Sequence, residues 1–83
     1  MPRYYIHLDN GQGHQTDDDG AIFADAAHAT EEAVRSGAHI LADELKLGYS
    51  PVKVTLHIED ADRQPSTAVA MSGTIHMLDR SLN

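Results

Sequence analysis

Apolar and polar positions alternate with a period of two through Arg3–Leu8. Tyr4, Ile6 and Leu8 fall on one side and Arg3, Tyr5 and His7 on the other. This is the pattern of a strand with one buried face. Asn10-Gly11 follows at once, a hairpin dipeptide because both residues tolerate positive φ. A second strand is expected to run back within Gly13–Phe23, ending on the apolar pair Ile22-Phe23. Its signal is weak, because Asp17, Asp18 and Asp19 interrupt it and aspartate is a poor strand former.

The period then changes. Ala26–Leu47 is rich in alanine, leucine and glutamate and contains no proline, which predicts one long helix with Asp25 as its N-cap. His28, Glu32, Arg35, His39, Asp43 and Lys46 step by three or four into a polar stripe. The opposite face is assigned Ala27, Val34, Gly37, Ala38, Ile40, Leu41 and Leu45. Gly37 costs about 1 kcal/mol against alanine inside a helix, and close approach to a sheet would compensate. Gly48 suits the left-handed position after the last turn, and Pro51 prevents resumption. A period of two returns in Val52–Glu59, with Val52, Val54, Leu56 and Ile58 inward. Asp60–Arg63 reads as a polar turn, and a fourth strand is expected within Gln64–Ser72. Residues 73–83 either extend that strand, form a partner-seeking arm or fray.

These elements predict a single α+β domain over residues 1–83. It is a two-layer ββαββ fold, a four-stranded antiparallel sheet in order 2-1-3-4 with one long helix on one face. The other sheet face, carrying Arg3, Tyr5, His7, Lys53, Thr55 and His57, is left with no helix to cover it. A homodimer, formed face to face or edge to edge, is the expected resolution, with these six residues as the candidate interface.

Composition sharpens this picture. The chain has 83 residues and no cysteine, so neither a disulfide nor a thiolate zinc site supplements the core. Its aromatic residues are Tyr4, Tyr5, Phe23 and Tyr49, and alanine supplies much of the apolar count. The core is therefore small, which again favours self-association. Thirteen acids against six bases give a formal charge of −7. The bases are scattered, which argues against nucleic acid as a partner, since such binders neutralise phosphate with clustered Lys and Arg. With no apolar run of membrane-spanning length and no basic-then-apolar leader, a soluble cytoplasmic protein is expected, without a membrane partner.

The motifs MPRYYIH, DDDG, FAD and LADEL occur in that order between Met1 and Arg63. In this the chain resembles a family of short bacterial proteins that share a domain of unknown function. That resemblance implies no activity, cofactor or catalytic residue. The hairpin, acid-glycine stretch, Phe-x-Asp and alanine-rich helix are also similar, at the level of fold, to antitoxin domains of the HicB type. This second likeness implies a regulatory role in binding another protein, and fold likeness does not establish function.

Candidate chemistry is sparse. The acidic loop fails the EF-hand pattern: starting at Asp17, position 5 is Ala21 and position 12 is His28; starting at Asp9, positions 3 and 5 are glycines. A looser cation site on Asp17, Asp18 and Asp19 is a weaker reading than a solvated turn. A phosphate loop is excluded, because the Walker lysine is missing and three carboxylates would repel the anion. Strand parity places His7 with Asp9 and His57 with Glu59. On neighbouring strands in register these four are a candidate divalent-metal set, the alternative being a solvent-facing or interface role. With no nucleophile motif and no evident cleft, neither catalysis nor a cofactor is expected.

Overall fold

The computed structural model describes residues 1–79. Its elements are β1 (Arg3–Asp9), β2 (His14–Gln15), β3 (Ala21–Ile22), α1 (Ala26–Lys46), β4 (Val52–Glu59) and β5 (Pro65–Gly73). The strands form one antiparallel sheet in the order β2-β1-β4-β5, with β3 also pairing β1. The α+β class and the order of the long strands are as the alternation predicts. The strand count is five rather than four. The expected second strand exists as two short pieces, with the aspartate-bearing segment Thr16–Gly20 looped out between them.

β1 and β4 share the middle of the sheet, with Ile6 opposite Ile58, His7 opposite His57 and Leu8 opposite Leu56. β5 lies along the other side of β4, from Val52 opposite Gly73 to Glu59 opposite Pro65, with an irregularity at Ile58/Glu59. The first hairpin turns through Asn10–Gly13. Asn10 Oδ1 accepts from the Gln12 and Gly13 amides, and Gly11 takes φ +82. Asn10 Nδ2 also donates to Glu44 Oε1 at 3.1 Å, tying this turn to the end of the helix.

The helix begins where its cap predicts, with Asp25 Oδ1 accepting from the His28 amide at 3.0 Å. Leu47 is its C-cap, and Gly48 follows at φ +94. The inward face differs from the pattern-based assignment. Ala29, Ala33 and Gly37 are buried, with Ile40, Leu41 and Leu45 half-buried, whereas Ala27, Val34 and Ala38 are exposed. The row that meets the sheet therefore runs Ala29, Ala33, Gly37, Leu41, Leu45, one residue in four, and small residues lead it. A Cβ on Gly37 would lie 2.7 Å from Leu56 Cδ1 and 2.8 Å from Met71 Cε, so the helix backbone approaches the sheet closely there. The sheet provides the bulk of the core through Tyr4, Val52, Val54, Leu56 and Ile58. Burying such side chains contributes about 1.5–3 kcal/mol each.

Candidate functional site

The site is built on the outer edge of β1. β2 pairs with Leu8 and Asp9, and β3 pairs with Arg3 and Tyr4, with a register slip of two residues between the pieces. Tyr5, Ile6 and His7 have no strand partner on this edge, and the looped-out residues take that place. Asp17 Oδ2 accepts the Ile6 amide at 3.1 Å, and its Oδ1 accepts the Gly20 amide at 2.9 Å. A side chain thus satisfies a backbone donor that the interrupted ladder would leave unpaired. Burial opposes the Asp17 charge, but hydrogen bonds from the Ile6, Gly20 and Asp19 amides outweigh it. Its carboxyl accordingly titrates below its ordinary 3.8.

The Asp17 amide donates in turn to His7 Nδ1 at 3.0 Å. That nitrogen must be unprotonated, so Nε2 carries the proton and donates to Glu59 Oε1 at 2.8 Å. His7 was expected on an open face, solvated or in an interface, yet it is only 8% exposed. The looped-out segment covers it, and His14 stacks beside it with ring centroids 6.3 Å apart. Tyr5 is taken up similarly. The Arg63 guanidinium sits 3.6 Å from its ring centroid, a cation–π contact, and lies 3.8 Å from Glu59. Arg3 Nη1 donates to the Asp19 carbonyl at 2.7 Å.

Of the six residues proposed as an interface, Arg3, Tyr5 and His7 are thus engaged within the chain. Lys53 and His57 are exposed and Thr55 is half-buried. Of the four candidate metal ligands, His7 and His57 are opposite one another, and Glu59 binds His7. Both nitrogens of His7 already have partners, and Asp9 Oδ1 accepts the Gly11 amide at 2.9 Å. Among the described residues no group of three or more histidines and carboxylates is arranged to hold a metal ion.

An open groove of about 730 Å³ remains on this sheet face, bounded by His14, His57, Arg63, Pro65, Ser66 and Ala68, with the His7–Glu59 pair at its back. Its volume falls within the ~300–1,000 Å³ of ligand clefts. Sequence reasoning missed His14, Arg63 and the structural role of Asp17. The hairpin length holds the signal for His14: a four-residue turn sets it opposite Asp9, on the face of His7. Arg63 is delivered by a turn at φ +64, in which Asp60 Oδ1 accepts the Asp62 and Gln64 amides. No periodicity announces that.

A two-layer sheet with one helix, one stitched edge and a shallow groove defines a small α+β domain. The family model of a domain of unknown function, DUF6894, matches residues 3–72, and the chain belongs to that family. The match extends past Arg63 to take in nearly all of β5. No curated protein and no solved structure matches the chain. Among the described residues no helix is long and apolar enough to cross a membrane.

Proposed function

We propose that the chain is a non-catalytic protein-interaction module that self-associates as a homodimer through the open edge of β5. The two sides of the sheet are treated very differently, and this contrast carries the reading. The β1 side is broken into two-residue strands, bent by a looped-out segment and lined with aspartates, all devices that discourage further strand pairing. The β5 side has none of them. Its nine residues, PSTAVAMSG, carry no charge, and proline stands only at the start. All its described pairing is to β4. Roughly half of its amides and carbonyls therefore face outward unpaired.

A second copy fits this edge without a change of fold. Two β5 strands related by a two-fold axis pair antiparallel, giving a continuous sheet with both helices on one face. Ala68, Ala70 and Ser72 are exposed and small, so no side chain obstructs the approach.

Light scattering and sedimentation test this reading. The wild type should behave as twice its 9.0 kDa chain mass. Ala70→Lys, which brings like charges together near the two-fold axis, should return the chain mass with an unchanged far-UV spectrum. Ala27→Lys, on the exposed outer side of the helix, should remain dimeric. A wild type that stays monomeric at ~1 mM overturns the proposal.

A further inference from the structure

Asparagine occurs at positions 10 and 83, and Asn10 is followed by glycine. The amide carbon of an asparagine can be attacked by the next residue's backbone nitrogen, and a glycine there has no side chain to hinder the approach. In this chain the same amide has a structural task. Asn10 Nδ2 donates to Glu44 Oε1 at 3.1 Å, so it ties the first hairpin to the last turn of α1.

The turn holds the reacting groups together. Asn10 Oδ1 accepts the Gln12 and Gly13 amides, each at 3.0 Å. These bonds draw the side chain over the Asn10–Gly11 peptide. They also put two donors on the oxygen that gains negative charge when Cγ is attacked. The Gly11 amide donates to Asp9 Oδ1 at 2.9 Å, which sets a carboxylate on the proton that the attacking nitrogen must shed. Gly11, Gln12 and Gly13 are exposed, nothing lies within 4 Å of where a Gly11 Cβ would be, and a hollow opens beside Asn10. The peptide therefore has room to turn its nitrogen onto Cγ, and water can reach the product. On the far side of the turn stands the two-residue β2, which puts the hairpin tip at the low end of local stability.

We propose that Asn10 is a self-modification site, deamidating within the folded chain, and that the new acid releases the hairpin from the helix. The Gly11 nitrogen bonds to Cγ, the Cγ–Nδ2 bond breaks, and the Gly11 proton leaves with Nδ2 as ammonia. Water then opens the resulting succinimide. Addition at Cγ breaks its bond to the Gly11 nitrogen and leaves aspartate. Addition at the main-chain carbonyl breaks the original peptide bond and leaves isoaspartate, with the chain running through the former side chain.

Both products lose the Nδ2 donor. In the aspartate, Oδ1 keeps the Gln12 and Gly13 amides, since aspartate suits such turns as asparagine does. Its second oxygen then faces Glu44 Oε1 from the position of Nδ2, two carboxylates in place of a hydrogen bond. In the isoaspartate the main chain is one methylene longer between Asp9 and His14, which are paired across the hairpin. His14 stacks beside His7 at the groove, so a change at the tip reaches the groove through two residues of strand.

The test follows the full folded chain at neutral pH and physiological temperature by intact mass and isoaspartate mapping. The mass gain of an amide-to-acid exchange should appear at Asn10, with isoaspartate the major product. Its rate should be within about tenfold of that in a free peptide of residues 8–15. Asn10→Gln, which would have to close a larger ring, should abolish the gain. Asn10→Asp reads the consequence: Tm should fall by about 5 °C in the wild-type background. In the Glu44→Gln background, where an amide again faces an acid, the same substitution should cost less than ~2 °C. A folded chain that keeps its mass while the peptide is fully converted overturns the proposal. So does an Asn10→Asp variant that melts with the wild type.

Discussion

Replacing Asp17 by asparagine tests the central local claim, that a carboxylate stands in for a missing stretch of β-ladder. The exchange keeps shape and volume but leaves one acceptor oxygen where two are used, for the Ile6 amide at 3.1 Å and the Gly20 amide at 2.9 Å. The new NH₂ group then faces one of these N–H donors. A hydrogen bond to a charged group contributes about 1.5–3 kcal/mol, and partial exposure places this one toward the lower end, so a loss of ~2 kcal/mol is expected. With an unfolding entropy of ~2.1 cal/mol/K per residue, a domain of this size should lose about 10 °C in Tm. Thermal unfolding followed by far-UV circular dichroism at pH 7 measures it. Asp18→Asn is the control, since the exposed Asp18 contributes its carbonyl, not its carboxylate, to the Arg63 contact. Acidification supplies the second half of the test. The Asp17 carboxyl is held below its ordinary 3.8 in the folded chain. Its stabilisation is therefore complete above that value and lost as pH falls through the lower folded value. The gap between wild type and Asp17→Asn should close over that interval. A Tm change below ~2 °C at neutral pH, or a gap that persists in acid, would refute the reasoning.

Gly20→Ala should destabilise the same segment by ~2–4 kcal/mol, because φ is +67 and a Cβ would sit 2.7 Å from the Tyr4 carbonyl oxygen. Chemical denaturation checks this, and a neutral result would mean that the backbone there relaxes freely. At the helix start, His28 Nδ1 donates to Asp25 Oδ1 at 2.8 Å. This bond raises His28 above its ordinary 6.5; the His28 amide and ring hold Asp25 below its ordinary 3.8. A raised folded value stabilises below the unfolded one and is lost as pH rises through the folded one. The Tm advantage of wild type over His28→Gln should be largest near pH 5 and fade in mild alkali, and a flat profile would argue against the pair.

The regular parts of the fold were legible because local pattern and tertiary placement agree. Val52–Glu59 alternates and is a strand over that very range, Asp25 caps the helix, and the close approach inferred from Gly37 is present. The looped-out residues were not legible, because Asp17 performs a backbone's task with a side chain, and composition records only a poor strand former. The inward helix face is misread at Ala27 and Ala38 because alanine is as readily exposed as buried, and at Val34 because single exposed aliphatic side chains are ordinary on protein surfaces. What selects Ala29 and Ala33 is their small size at a spacing of four, not their hydrophobicity. The site was half legible. Parity set His7 beside His57, but Arg63 and the looped-out segment that cover this face arrive from elsewhere in the chain.

The row Ala29, Ala33, Gly37, Leu41, Leu45 also has a meaning for how the chain can vary. It grades from the smallest side chains to large ones along a single helix. Gly73 of β5 makes room at the wide end, where a Cβ would meet Leu45 Cδ1 at 2.9 Å and Leu41 Cδ1 at 3.4 Å. Along this row the helix therefore imposes a ceiling on volume in its first half and a floor in its second. A substitution scan should find positions 29, 33 and 37 intolerant of every enlargement, apolar or polar, while positions 41 and 45 accept exchanges among large aliphatics. In descendants of this chain, drift at positions 29, 33 and 37 is confined to the smallest residues, whatever surface the rest of the molecule acquires.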